Sequence, residues 1–185
     1  MNKKSVAHQI NAASRLRGAF RLRSGSPSNE YFDKYRFESD PRLLSAVSGE
    51  MAALIPSRIE ILAGLELGGI PIATALSLRT GLPVVFVRKV AKKYGTCRLA
   101  EGIEFAGRRV LIVEDVVTSG GQILASCADL RAEGAVIEHV LCVIDREAGG
   151  TEALTAAGLE LHALFTKSEL DDVDREGGNS IQNRD

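Results

Sequence analysis

The sequence predicts an α/β fold built on a central parallel sheet with helices on its faces, and three observations carry that prediction. Short apolar runs rich in β-branched residues recur at 59–63, 84–87, 110–113 and 136–144, as strands buried on both faces require. Between several of them lie stretches whose apolar residues return at helical spacing. The strand and helix patterns alternate, which is the order of a doubly wound parallel sheet.

Taken in order, Val6, Ile10, Ala13 and Leu16 mark an amphipathic helix over 5–17. Asp40 and Pro41 read as an N-cap with proline at the first helical position, opening a stripe of Leu43, Leu44, Val47, Met51, Leu54 and Ile55 that Pro56 ends. A strand at 59–63, a helix near 70–78 and a strand at 84–87 follow. A basic loop then spans 88–102, before the strand at 110–113, a helix at 122–133 closed by Gly134, and the strand at 136–144. One domain is expected over 1–170, with 1–40 forming an N-terminal helix and a small hood. Residues 171–185 are polar and charge-rich, with little to bury, and read as a mobile tail.

A net charge of −1, with 45% hydrophobic and 25% charged residues, fits an ordinary globular domain and gives no global basis for binding nucleic acid. No apolar run approaches the roughly 18 residues that cross a bilayer, and no apolar segment follows the N-terminal lysines, so a cytoplasmic protein without a membrane partner is expected. Cys97, Cys127 and Cys142 have no C-x-x-C spacing and read as reduced thiols, Cys142 in the core and Cys97 in a polar loop. His8, His139 and His162 are scattered singly, and no metal site is expected from them.

In such sheets ligands bind beyond the carboxyl ends of the strands. The chemistry-bearing stretch there is VLIVEDVVTSGGQ, from Val110 to Gln122. Glu114 and Asp115 follow the apolar run, where carboxylates can accept hydrogen bonds from a diol. Val116, Val117, Thr118, Ser119, Gly120, Gly121 and Gln122 then lead into a helix, offering backbone N–H groups and two hydroxyls to a phosphate. The plainer reading is an acidic N-cap with a glycine turn. Neither nucleotide fingerprint is present: there is no G-x-x-x-x-G-K-[ST], and the glycines of 64–69 have the wrong spacing for G-x-G-x-x-G.

This segment resembles the phosphoribosyl pyrophosphate signature of the type I phosphoribosyltransferases, in which aliphatic residues run into two acidic residues and a Thr-Thr/Ser-Gly loop. The basic loop narrows the resemblance. Phe86-Val87-Arg88-Lys89-Val90-Ala91-Lys92-Lys93-Tyr94-Gly95, followed by Glu101-Gly102, is similar to the F-x-R-K-x-x-K-x-H-G lid of the orotate phosphoribosyltransferases. Cations in a mobile lid can stabilise charge on departing pyrophosphate and exclude water. The resemblance implies donor-binding roles for Arg88, Lys89, Lys92 and Tyr94, with Arg88 and Lys92 catalytic. Tyr94 stands where the family usually has histidine, placing a phenol of pKa about 10 where a group titrating near neutrality is common.

Three further segments fit. Phe20-Arg21-Leu22-Arg23-Ser24-Gly25 with Tyr31-Phe32 is similar to the family's F-x-L-K-S-G segment and aromatic pair, with Arg23 in place of lysine. Physically, Tyr31 and Phe32 can stack on a planar base, or serve as core aromatics of a short hairpin. Val143-Ile144-Asp145-Arg146-Glu147 resembles the V-D-R-Q/E segment, whose arginine binds the orotate carboxylate, a task suited to a bidentate guanidinium. Leu65, Glu66, Leu67 and Gly68 match the pyrophosphate turn, with Gly68 where many members carry lysine.

The resemblance implies a type I phosphoribosyltransferase fold with a hood and a mobile lid. It further implies transfer of phosphoribosyl from phosphoribosyl pyrophosphate to orotate, with base contacts from Arg23, Tyr31, Phe32, Thr118 and Arg146. Mg²⁺ would be held mainly by donor oxygens near Asp115, and a homodimer would share lids across its interface. A phosphoribosyltransferase for another base, or a non-catalytic sensor of the donor, would use the same donor site.

Overall fold

Asn2 opens α1 (Lys3–Ser14), its side chain accepting from the Ser5 N–H, and the helix buries Val6, Ala7 and Ile10. The computed structural model describes residues 2–21, 25–90 and 99–182, with side chains as far as Arg175. Helix α1 ends before the expected Arg17 because Arg15 turns out into β1 (Arg15–Arg21), which pairs antiparallel with β2 (Pro27–Phe32). Leu16 therefore pairs with Tyr31 in this two-stranded hood instead of extending the helical stripe.

A short α2 (Tyr35–Ser39) leads to α3 (Pro41–Ala52), whose first turn is capped by Asp40 Oδ1, accepting from Arg42 N at 2.8 Å and Leu43 N at 3.0 Å. Removing such a cap costs about 1 kcal/mol. Then come β3 (Ile61–Leu65), α4 (Gly69–Thr80) and β4 (Val84–Val87). The end of the expected basic loop forms an edge strand, β5 (Ala100–Gly102), antiparallel to β4. Strand β6 (Arg109–Val117) runs four residues beyond the expected Val113, so Glu114 and Asp115 lie inside the strand and not after it. It pairs with β7 (Val136–Asp145) beyond α5 (Gly121–Ala132).

Helix α6 (Gly150–Ala156) and strand β8 (Glu160–Thr166) had no counterpart in the sequence reading. The stretch read as a polar tail continues α7 (Lys167–Gln182). Leu170 is buried in the core, and Asp171 is anchored by Arg15 at 2.6 Å.

The main sheet has the order β5-β4-β3-β6-β7-β8, parallel except for β5. Helices α5 and α6 pack on one face through Ile123, Cys127, Leu130 and Leu154. The other face carries α1, α2, α3, α4 and α7 through Ile10, Phe37, Met51, Leu76 and Leu170. Fully burying a large apolar side chain of this kind contributes roughly 1.5–3 kcal/mol. Cys127 and Cys142 are buried free thiols, and Cys97 lies outside the described residues. Among the described residues no helix is long and apolar enough to cross a membrane.

From β3 the chain goes outward to β4 on one side, then returns to β6 on the other. Connections diverge at the carboxyl ends of β3 and β6, and that divergence opens a crevice.

Candidate active site

Two backbones meet at that crevice with no room between them. A Cβ on Gly68 would overlap the Asp115 carboxylate, and one on Gly69 would overlap the Val113 carbonyl. Glycine is thus required for the turn after β3 to lie against β6, and the close approach puts the turn beside both acidic residues. Leu65, read as part of that turn, instead ends β3 with its side chain buried in the core. The Glu66–Leu67 peptide is cis.

Asp115 is fully buried. Its Oδ1 accepts from the Val116 N–H at 2.6 Å, and the Lys34 ammonium lies 2.5 Å from its Oδ2. Burial works against the charge on Lys34, but the bond to Asp115 and its Coulomb attraction outweigh it and hold the ammonium above the usual lysine range. Glu38, also buried, is pushed up to about 9 by burial and by its hydrogen bond to Asp115. Glu114 rises to about 8, again through burial and then the neighbouring Asp115 charge. Its Oε2 is buried without a hydrogen-bond partner among the described residues. At neutral pH Glu38 and Glu114 are therefore protonated, beside the Lys34–Asp115 pair.

In front of this group lies a cavity of about 500 Å³ lined by Lys34, Glu66, Leu67, Lys89, Glu114 and the whole run from Val116 to Ile123. Gly120, at φ 75°, turns the chain from the end of β6 into α5. Thr118 and Ser119 are exposed there, and the first-turn N–H groups of α5 have no partner within the helix, so the loop can receive an anion. The loop is braced from behind by Gly150, where a Cβ would overlap the Thr118 carbonyl.

A second cavity, of about 490 Å³, lies between the hood and α7, lined among others by Tyr31, Phe32, Arg146, Asp171 and Arg175. Tyr31 is 44% exposed, so it is not a core aromatic of its hairpin. Phe20 packs against it with ring centroids 5.6 Å apart. The Arg146 guanidinium lies 6.0 Å from the Phe32 ring centre. Arg146 is fixed by its N–H, which donates to Val117 O at 2.9 Å, and by Asp145, which accepts from Glu147 N and Thr151 Oγ1. One backbone bond thus ties Arg146 to the carboxyl end of β6.

The structure brings together Lys89, Glu66, Leu67, Glu114 and Val116 to Gln122 around the first cavity, and Tyr31, Phe32 and Arg146 around the second. Thr118, expected in both, lines the first. Arg88 lines a separate opening with Glu66 and Glu101. Arg23, Lys92 and Tyr94 lie outside the described residues.

A phosphoribosyl transferase domain profile matches residues 41–156. Orotate phosphoribosyltransferase of Nocardioides sp. is 52% identical over 174 residues, covering 94% of this chain and 97% of that protein. The chain belongs to the orotate phosphoribosyltransferase family. A family member from Methanocella arvoryzae is 44% identical over 83% of this chain and 87% of its own length. Among solved structures, the Mycobacterium tuberculosis orotate phosphoribosyltransferase in complex with phosphoribosyl pyrophosphate superposes with a TM-score of 0.79 at 30% identity, covering 91% of this chain and 98% of that one. The same enzyme in complex with Fe(III) dicitrate gives a TM-score of 0.84 at 32% identity, with the same coverage.

Lys34 and Glu38 are the members of the Asp115 group that the sequence alone did not single out. Their signal was faint: in YFDKYRFES the only periodic cue is that Lys34, Phe37 and Glu38 share the inward side of one helical turn.

Proposed function

We propose that this chain transfers the 5-phosphoribosyl group from phosphoribosyl pyrophosphate to orotate, releasing pyrophosphate and forming orotidine 5′-monophosphate in pyrimidine nucleotide synthesis. The observation that carries the reading is the bond from Arg146 N to Val117 O, which joins an anion-receiving loop and an aromatic, arginine-bearing cavity at one strand end.

In this reading the Thr118–Gln122 loop holds the 5-phosphate through backbone N–H groups and hydroxyls. Glu114, protonated at neutral pH, can both donate to and accept from a ribose hydroxyl, while Asp115 accepts. Lys89, with Arg88 and Lys92 of the basic loop, offsets charge developing on pyrophosphate as the ribosyl carbon becomes cationic. Arg146 pairs with the orotate carboxylate, and Tyr31 and Phe32 flank the ring. Orotate is already anionic, so positioning and leaving-group charge dominate over general-base strength.

The residues present fit Mg²⁺: the Glu114 and Asp115 side chains offer hard oxygen donors, Glu114 Oε2 has no partner among the described residues, and a cation there would displace the Glu114 proton. Bound mainly through donor oxygens near Asp115, the ion would neutralise pyrophosphate charge. A homodimer with lids reaching the neighbouring site and a cytoplasmic setting belong to the same proposal; exposed Leu67 and Phe86 support the former.

The test is loss of orotate absorbance on mixing the protein with phosphoribosyl pyrophosphate and Mg²⁺, with uracil, hypoxanthine and nicotinate as parallel acceptors. Turnover with orotate alone is expected. Turnover only with another base would reassign the acceptor, and donor binding without any turnover would indicate a sensor.

A further inference from the structure

At the opposite end of the sheet, the structure brings together two of the three histidines that are scattered along the sequence. His139 is near the start of β7 and Glu160 opens the neighbouring edge strand β8; the two are register partners across a parallel pair. His162 is two residues beyond Glu160, so it projects from the same face of the sheet. His139 Nδ1 and His162 Nε2 are 3.2 Å apart; Glu160 Oε2 lies 3.5 Å from the first, and its other oxygen, Oε1, lies 3.7 Å from the second. All three ligand atoms fall within 4.8 Å of one another.

Those separations fit a cation. A tetrahedral zinc ion with bonds of about 2.0–2.1 Å spaces its ligand atoms by roughly 3.4 Å. The three observed distances bracket that value, so an ion could be seated with small side-chain adjustments. The donor set is selective in kind: imidazole nitrogen with one carboxylate suits zinc, nickel or copper, whereas Mg²⁺ and Ca²⁺ prefer oxygen alone. Both imidazoles are less than a quarter exposed and their rings are held 5.2 Å apart, so little ordering remains to be done on binding.

We propose that His139, Glu160 and His162 form a binding site for a divalent transition ion of the zinc class, distinct from the substrate cavities and clasping edge strand β8 to β7. Three protein ligands leave a fourth position for water. From His139 to Asp145, at the far end of the same strand, is six residues, or roughly 20 Å. The ion is therefore separate from any Mg²⁺ carried by the donor. Its role is to pin the outermost strand, which among the described residues has a neighbour on one side only.

The test is a titration of zinc chloride into the whole protein in chelator-free, phosphate-free buffer, read by calorimetry and by the unfolding temperature. One equivalent per chain is expected, with a rise in unfolding temperature. His139→Ala and His162→Ala should each weaken binding by at least about tenfold, and Glu160→Gln should weaken it less. His162→Gln, closer in shape, serves if the alanine variants fail to fold; circular dichroism and retained orotate turnover check the fold. Glu114→Gln should leave zinc affinity unchanged. Absence of saturable binding, full affinity in the His162 variants, or loss of affinity in Glu114→Gln would each overturn the proposal.

Discussion

The two ends of the sheet each gather titratable groups, and they do so under opposite conditions. At the carboxyl end, Asp115 is fully buried and Glu38 nearly so, with Lys34 reaching in to compensate one charge. At the amino end, the Glu160 side chain is 65% exposed beside two partly covered imidazoles. The first group lies where connections diverge and leave a crevice; the second lies across the register of β7 and β8. Burial makes the first group shift protonation states and depend on every partner. In the second, only the Glu160 carboxylate is well exposed, while burial holds the His162 imidazole below the usual histidine range.

The comparison is broken most sharply at Gly68. Gly68→Ala drives a methyl into the Asp115 carboxylate, so the turn must move away from β6, and kcat/KM for orotate should fall about a hundredfold, as displacements near 1 Å do. Initial rates measure this, and a rate within threefold of the parent would show that the close approach is not needed. Next, Lys34→Met leaves a buried carboxylate without its ammonium and should lower unfolding stability by about 2 kcal/mol, a value reduced from that of fully buried pairs because Lys34 is partly exposed. Urea denaturation reads it directly.

Arg146→Ala should raise the KM for orotate about tenfold while changing the KM for phosphoribosyl pyrophosphate little, because only the second cavity loses a charge. Equal shifts in both constants would merge the two cavities into one functional unit. For pH, Glu38 and Glu114 have folded-state values raised to about 9 and about 8 from an ordinary 4.5. The folded protein binds more protons than the unfolded chain between those values, so this contribution to stability is complete below about pH 4.5 and is lost as pH rises through 8 to 9. Unfolding temperature should therefore decline from pH 6 to pH 9, and Glu38→Gln should flatten the decline. The smallest effect belongs to the other end: Glu160→Gln, without metal, should change stability by less than about 0.5 kcal/mol.

How much of this could be read in advance follows from distance along the chain. The donor loop was legible because Val110 to Gln122 is one continuous stretch whose residue order carries its chemistry. The strands at 84–87 and 136–144 were legible for the same reason. Lys34 was not, because its partner Asp115 lies far along the chain and meets it only in the folded protein. His139 and His162 are 23 residues apart, and only the parallel register of β7 with β8 makes them neighbours. Helix α7 was obscured because, among the described residues, its apolar side is Leu170 and Val173 amid acidic residues, and its docking relies on Arg15 at the other end of the chain.

That docking has a temporal side. The Arg15–Asp171 contact spans 156 residues, and Asn11 reaches the carbonyl of Leu170 across 159. At synthesis rates of roughly 5–20 residues per second, about 8 to 30 seconds separate the emergence of the two partners from the ribosome. The loop from Val116 to Gln122 is contiguous chain and is synthesised well before α7. The α7 wall of the second cavity is supplied last, so the two cavities are completed at different times on a nascent chain.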